Sequence, residues 1–491
     1  MTLTSIKNML NAFDKKGIIY CHWKSNEHLA EALNGDTDLD VLFLPEQRSL
    51  LDQTLNECGL KRFRSTPMMQ YNAIEDYIGF DEEKAMIWHL HTHYRMTLGE
   101  KHLKGYTVTP WGKYILDTRI KDASGIYTSA PEVELVLLLA RLALKMRFRD
   151  TGRDIGSDDI KEYDWLIDRV DLSKVNYHAK AMCGEHTADI MLRICQGKLK
   201  SKSQLNKLNS HLLKELKCFT GYSSFGSRWA RTIREINWLI GGVQRRLGMN
   251  STSAYRRVSP SGGTVVVFLG CDGAGKSTSL AYVKKEFGKK LDVYTSYLGS
   301  GDGSSSLLRK PMKLVAKKVG GKGLGHSVEK EYLGEKRVSF KSRLYSIAKI
   351  LWAVTLAYEK KGKLKDVTKA RNNGMLVLID RYPQTVMYGC NDGPLLTRYL
   401  KNGSWLTKKI AKWEYSIYES ASTNMPDLTL KLMVPTEIAI ARKPEMTTEE
   451  IENKKTAVRA MNFAIRSVEV DTSQDITKSL SHIMKEIWQI I

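Results

Sequence analysis

Nine consecutive residues carry the clearest chemistry in this chain: Gly270, Cys271, Asp272, Gly273, Ala274, Gly275, Lys276, Ser277 and Thr278. They follow an apolar, β-branched run at 264–269 and lead into a helix-like segment at 279–287. The spacing G-x-x-x-x-G-K-[ST] between a strand and a helix is that of a phosphate-binding P-loop. A phosphate chain must meet several backbone N–H groups at once, and glycines at 270, 273 and 275 keep side chains out of its way. Lys276 adds charge at the outer phosphates, Ser277 and Thr278 offer hydroxyls, and the helix start faces the anion. Ser277 is the expected oxygen ligand for Mg2+.

A second group lies near the start of the chain. Residues 35–43 alternate so that a strand puts Asp38 and Asp40 on one face. Two adjacent carboxylates are costly unless a divalent cation neutralises them, so Asp38 and Asp40 are candidate metal ligands. With Ser25 thirteen residues before the first aspartate, the pattern resembles the G-S … D-x-D core of the nucleotidyltransferase superfamily. That resemblance implies that the serine contacts a triphosphate and the aspartates hold Mg2+. Lys24 stands where the family has glycine. The family also supplies a third carboxylate from a later strand, but the strand expected at 85–96 carries His89, His91 and His93 there. Asp76 and Asp81, on or near the preceding hairpin arm, are the alternatives for that place. The three histidines alternate and so share a face, as metal ligands would; the simpler expectation is that they line a groove.

These sites need elements to hold them. At 491 residues, 42% hydrophobic and 26% charged, the chain is long enough for several domains with real cores. We expect a nucleotidyltransferase-like α/β domain at 1–129, a helical extension at 130–249, a Ser/Pro/Gly-containing linker at 250–262, and a P-loop domain at 263–491. No apolar run approaches the ~20 residues of a membrane span, and residues 1–17 lack a secretory h-region, which points to a cytoplasmic location. Seven scattered cysteines with no C-x-x-C pair exclude a disulfide framework and a cysteine zinc site. The net charge of +22 calls for a polyanionic partner or for a solvated basic surface. Residues 228–247 read as a basic amphipathic helix. We expect its apolar face to pack on its own domain, with the inner face of an anionic membrane as the alternative. The sequence leaves a homodimer open.

Downstream of the P-loop, a strand is expected at 292–298, then a glycine-rich loop at 299–303 and a basic glycine-containing stretch at 309–325. A helix at 342–358 is expected to bury Leu344, Ile347, Ala348, Leu351 and Val354. The apolar run 375–379 fits a central parallel strand ending in Asp380-Arg381-Tyr382-Pro383. An aspartate at such a tip holds Mg2+ through water, and the arginine beside it bridges donor and acceptor phosphates. Further strands are expected at 427–434 and 468–470.

The segments "FLGCDGAGKST", "LIDRYP", "MPDLTLKLMVPTEIAIARK" and "VEVDTS" occur in the order seen in thymidylate kinases, and this resemblance covers roughly residues 263–491. It implies a nucleoside-monophosphate-kinase fold that uses ATP and Mg2+. By motif, Asp272 approaches the acceptor's sugar hydroxyl and Lys276 the ATP phosphates. Ser277 and Asp380 serve Mg2+, Arg381 sits between the phosphoryl groups, Arg442 acts as a lid arginine, and Asp471 and its neighbours flank the adenine. The residues after Arg381, including Asn391-Asp392-Gly393-Pro394, lack the family's thymine-seating pattern. The whole chain is similar to the thymidylate-kinase-like proteins found with bacterial surface-polysaccharide genes, which implies a nucleotide or sugar-phosphate acceptor. Two other functions stay open: nucleotidyl transfer by the first half with a regulatory P-loop half, and an ATP-hydrolysing module bound to membrane or nucleic acid.

Overall fold

The computed structural model describes residues 2–147, 153–247, 250–299, 340–388 and 392–491. The glycine-rich loop beyond residue 299 and the basic stretch at 309–325 lie outside the described residues. Two compact units form: Met1–Met249 with Tyr255–Pro260, and Asn250–Ala254 with Ser261–Ile491.

The first unit is built on a mixed eight-stranded sheet. Its strands are β1 (Tyr20–His22), β2 (Leu39–Phe43), β3 (Lys61–Ser65), β4 (Ile74–Asp81), β5 (Met86–His93), β8 (Ile120–Lys121), β9 (Tyr127–Thr128) and β10 (Arg257–Val258); β6 (Met96–Leu98) and β7 (Tyr106–Val108) pair separately. The spatial order is β10-β3-β4-β5-β2-β1-β9-β8, with β2 and β5 parallel and β4 antiparallel to β5. Phe13 of α1 (Thr4–Lys16) packs against Tyr20 and Phe43 on one face, burying its periodic apolar side. On the other side, Cys21, Trp23, Leu42 and Met96 share one core with the helices that follow. Chief among these is the helix Pro131–Lys145, whose apolar residues are buried almost all round, as expected of a central helix. The helical stretch after 130 thus adds to the same core as the sheet.

Two expectations change. Residues 250–262 are not all linker, because Arg257 and Val258 pair with Arg64 and Ser65 as the sheet's edge strand. The long helix Ser224–Arg246 does not bury its apolar side: Phe225, Trp229, Leu239 and Val243 are exposed. Its contacts to the rest of the unit are largely polar, with Arg231 on Glu100, Arg147 on Glu235, and Trp238 beside the His102 ring. Among the described residues, no helix is long and apolar enough to cross a membrane.

The second unit is a five-stranded parallel sheet. Its strands are β11 (Thr264–Gly270), β12 (Val293–Tyr297), β13 (Leu376–Asp380), β14 (Leu428–Met433) and β15 (Arg466–Asp471), in the order β12-β13-β11-β14-β15. Parallel strands covered on both faces need continuous apolar runs, and Val265–Leu269 and Leu376–Ile379 are all buried. A helix spans Phe340–Asn372, but its buried side differs from expectation. Ile347 and Leu351 are exposed, whereas Trp352, Ala353 and Leu356 pack with Leu395, Leu396 and Ala411. The fold is a doubly wound parallel sheet carrying the P-loop, with the strand order reversing around β11.

Candidate functional site

The central strand β11 ends at Gly270, and the turn that follows takes the chain into the helix Lys276–Gly288. Gly273 and Gly275 both have φ of +83°, a backbone region that side chains resist. The first-turn amides of a helix have no partners within it, so this turn ends in N–H groups suited to an anion. Lys276 is 7% exposed, and its amine donates to the carbonyls of Gly270 (3.0 Å) and Cys271 (2.8 Å). Burial, reinforced by the charge of Arg381, lowers its pKa.

The neighbouring strand β13 brings its C-terminal Asp380 level with Phe268. One Asp380 oxygen (Oδ1) is buried without a hydrogen-bond partner. Burial raises this carboxyl's pKa against the pull of Lys276 and Arg381. A bound divalent cation would satisfy that oxygen, so the residues present fit Mg2+ at Asp380 with the Ser277 hydroxyl nearby in the same cleft. Arg381 follows with φ of +64°, its amide donating to Phe268 O at 3.1 Å. Its guanidinium donates to Asp272 Oδ1 (3.1 Å) and lies 3.6 Å from Asp392 Oδ2. Arg442, at the end of the helix Thr436–Arg442, donates to Gly273 O (3.0 Å) and Thr472 O (3.2 Å).

Lys276, Ser277, Thr278, Asp380, Arg381 and Arg442 line one cleft of about 680 Å3 with Gly273 and Gly275. Asp272 lines it too, but both of its oxygens are engaged, by Arg381 and by Lys454 (2.5 Å). Burial alone would raise its pKa; Lys454 and Arg381 outweigh that and bring it down to about 2. Asp272 thus holds two cations at the edge of the cleft. The Asp471 carboxylate accepts from Ser473 N (2.8 Å) and Ser473 Oγ (2.6 Å) within its own turn. Its neighbours Thr472 and Gln474 line the cleft. Gly270 and Ala274 shape the loop from behind, Ala274 being fully buried.

Sequence reasoning missed Lys454, Asp392 and Lys360. Lys360 is buried; its amine donates to Asp392 O (3.3 Å) and lies over the Tyr418 ring. The same loop is pinned by Glu414, which accepts the N–H groups of Leu395 (2.9 Å) and Leu396 (2.8 Å). The Asp392-Gly393-Pro394 turn signal was the available hint.

In the first unit, Asp40 of β2 lies opposite His91 of β5, and His91 lies opposite Asp76 of β4. Asp40 Oδ1 is 3.2 Å from both His91 Nδ1 and His93 Nε2, and Lys24 Nζ is 3.0 Å from Oδ2. Asp76 Oδ1 meets His89 Nε2 (2.9 Å), His91 Nε2 (3.5 Å) and Arg257 Nε (2.7 Å). Asp38, just before β2, places Oδ2 3.0 Å from His89 Nδ1. Burial lowers the pKa values of His91 and of His93, the latter to about 3, despite Asp40 beside them. Of the two carboxylates considered for the third place, Asp76 joins this cluster. Asp81 is tied to Ser5 N and Oγ at 2.9 Å. Ser25 has φ of +54°, and its hydroxyl faces Glu162.

No protein-family model matches the chain. It is 25% identical over 247 residues to "Uncharacterized ATP-binding protein YghR" of Escherichia coli strain K12, covering 49% of this chain and 92% of that protein. It is 24% identical over 202 residues to "Uncharacterized ATP-binding protein YghS" of the same strain, covering 40% and 81%. Among solved structures, thymidylate kinase from Ehrlichia chaffeensis aligns at 14% identity and TM-score 0.24, covering 46% of this chain and 98% of that one. Thymidylate kinase from Candida albicans aligns at 16% identity and TM-score 0.26, covering 47% and 91%.

Proposed function

We propose that the second unit transfers the γ-phosphoryl group of ATP, with Mg2+, to a nucleotide- or sugar-like acceptor. One observation carries this reading. Lys276 at the helix start and Asp380 at the adjacent strand tip turn into one cleft, and an Asp380 oxygen there is buried without a hydrogen-bond partner. That the curated relatives are named ATP-binding proteins supports it.

In this reading the amides from Gly273 to Thr278 and the Lys276 ammonium hold the phosphate chain. Ser277 and Asp380 hold Mg2+, which when bound spreads the charge on the transferring phosphoryl oxygens. Arg381 faces donor and acceptor phosphates, positioned by Asp272 on one side and Asp392 on the other. Arg442 closes the loop side of the cleft. Phosphoryl transfer needs in-line placement and charge more than a dedicated base, and these residues supply both. The family resemblance of the sequence turns the acceptor toward phosphorylated sugars of surface-polysaccharide synthesis.

The test uses ATP labelled at the γ- or α-phosphate, Mg2+, and a panel of nucleotides and sugar phosphates. The expected result is γ-label on an acceptor, lost in Lys276→Ala and retained in Asp38→Ala/Asp40→Ala. Transfer of α-label that needs the aspartate pair would overturn this assignment and favour nucleotidyl transfer at the Asp38/Asp40/Asp76 cluster. Release of γ-phosphate to water alone, with binding to anionic vesicles, would favour an ATP-driven membrane module using the exposed face of the helix Ser224–Arg246.

A further inference from the structure

We infer that the first unit holds a zinc ion on Asp40, His91 and His93. The cluster is built by strand register. Alternation along β5 puts His89, His91 and His93 on one face. Pairing on both sides of β5 then sets Asp40 and Asp76 directly across from His91. Asp40 Oδ1, His91 Nδ1 and His93 Nε2 lie within 4.8 Å of one another.

The spacing matches a coordination sphere. Zinc bonds of about 2.0–2.1 Å in tetrahedral geometry put neighbouring donor atoms about 3.3 Å apart. The two contacts of Asp40 Oδ1 are each 3.2 Å, longer than the usual N–H···O distance of about 2.9–3.0 Å. Lys24 takes the other Asp40 oxygen, at 3.0 Å, and leaves Oδ1 to an ion.

One of the two imidazoles has an outer carboxylate beside it. A metal-bound imidazole normally gives its other N–H to a carboxylate, which fixes the ring. With its Nδ1 toward the site, His91 turns Nε2 to within 3.5 Å of Asp76 Oδ1, close enough for charge though not a hydrogen bond, while the outer Nδ1 of His93 is buried without a hydrogen-bond partner. Asp76 is itself anchored by Arg257 Nε (2.7 Å) and by Ser65 Oγ (2.7 Å). Two imidazoles and one carboxylate suit zinc better than Mg2+, which prefers an all-oxygen set. Three protein ligands leave a fourth position open, as in zinc sites that bind a water or a substrate atom. The unusual feature of the sequence, histidines where a nucleotidyltransferase would carry an aspartate, becomes a change of metal. This inference does not depend on the phosphoryl-transfer reading of the second unit.

The full chain, stripped with a chelator, is dialysed against Zn2+ and its bound zinc measured by elemental analysis. Wild-type protein is expected to hold one equivalent more than His91→Gln, His93→Gln or the isosteric Asp40→Asn. Asp76→Asn is expected to retain the site with affinity weakened about 10–100-fold. Co2+ added to the stripped wild-type chain should give the intense visible absorption of a four-coordinate ion, displaced by one equivalent of Zn2+ and not by millimolar Mg2+. Equal zinc in wild type and ligand variants, or only the weak absorption of six-coordinate Co2+, would overturn the inference. The Co2+ spectrum of the wild type decides the matter if a variant fails to fold.

Discussion

Gly273 and Gly275 share a φ of +83°, yet alanine at the two positions should do opposite things. Both substitutions incur the cost of a left-handed backbone, about 1 kcal/mol. A Cβ on Gly275 meets no protein atom within 4 Å, and Gly275 lines the cleft. A Cβ on Gly273 would lie 2.9 Å from the Ala439 carbonyl oxygen and 3.3 Å from its Cα, inside the 3.4 Å at which ordinary contact begins. Ala439 is fully buried backbone in the helix that ends at Arg442, so relief requires that helix to move. Such overpacking adds about 1–3 kcal/mol. Gly273→Ala should therefore cost about 2–4 kcal/mol and Gly275→Ala about 1 kcal/mol, or about 2–4 °C of Tm per kcal/mol for a unit of this size. Nucleotide binding should rank the other way, because the Gly275 methyl enters the space reserved for phosphates. We expect Gly275→Ala to lose more than about tenfold in ATP affinity, a penalty above 1.4 kcal/mol. Thermal unfolding and titration with a fluorescent ATP analogue measure both. Equal Tm losses, or wild-type ATP affinity in Gly275→Ala, would refute the assignment of this loop as the phosphate cradle.

Asp272→Asn removes the charge that holds Arg381 and Lys454, and should lower kcat by about tenfold to a hundredfold with little change in the KM for ATP. That range follows from losing one charge-assisted hydrogen bond of about 1.5–3 kcal/mol, and steady-state kinetics would read it. Glu414→Ala should destabilise the second unit by about 2–4 kcal/mol, since it orphans the buried N–H groups of Leu395 and Leu396. Glu414→Gln, which keeps an acceptor oxygen, should cost less in a denaturant melt. Burial raises Glu134 from 4.5 to about 7, against its hydrogen bonds from Asn26. An acid whose folded pKa is the higher one withholds its charge in the fold. Its contribution is thus best below about pH 4.5 and declines until about pH 7, by about 3 kcal/mol. Denaturant midpoints of wild type and Glu134→Gln across that range should diverge as pH rises; parallel curves would disprove the shift.

What the sequence made legible follows from how local each signal is. The phosphate loop declared itself because its glycines, lysine and flanking apolar strand lie within fifteen residues of one another. Asp380 and Arg381 were readable for the same reason, at the end of a continuous apolar run. The side chains that fix the partners of Arg381 were not: Lys454 reaches Asp272 across 182 residues, and Lys360, which holds Asp392, is a buried lysine, which polarity rules put on the surface. In the helix Phe340–Asn372, apolar residues fall on more than one side, so periodicity alone chose Ile347 and Leu351 where packing chose Trp352 and Leu356. The alternation of His89, His91 and His93 was visible, but not which strands would pair with theirs. Only register puts Asp40 and Asp76 on either side of His91.

The charge balance of the sites differs from that of the chain. Several site cations already have carboxylates: Arg381 has Asp272 and Asp392, Lys454 has Asp272, Lys24 has Asp40, and Arg257 has Asp76. Lys276 differs, because its hydrogen bonds go to two backbone carbonyls and its charge is offered to whatever enters the cleft. The surplus of +22 therefore resides largely outside the two sites. Binding of ATP, held by one lysine and a row of amides at close range, should weaken only modestly as salt is raised. A polyanion spread over the surface charge would release many counterions and lose affinity steeply, by about a thousandfold between 50 and 200 mM salt if six or more contacts form. Salt titration of both ligands on the same protein separates the two kinds of binding. Equally steep slopes would mean that the surface charge, not the loop, captures the nucleotide.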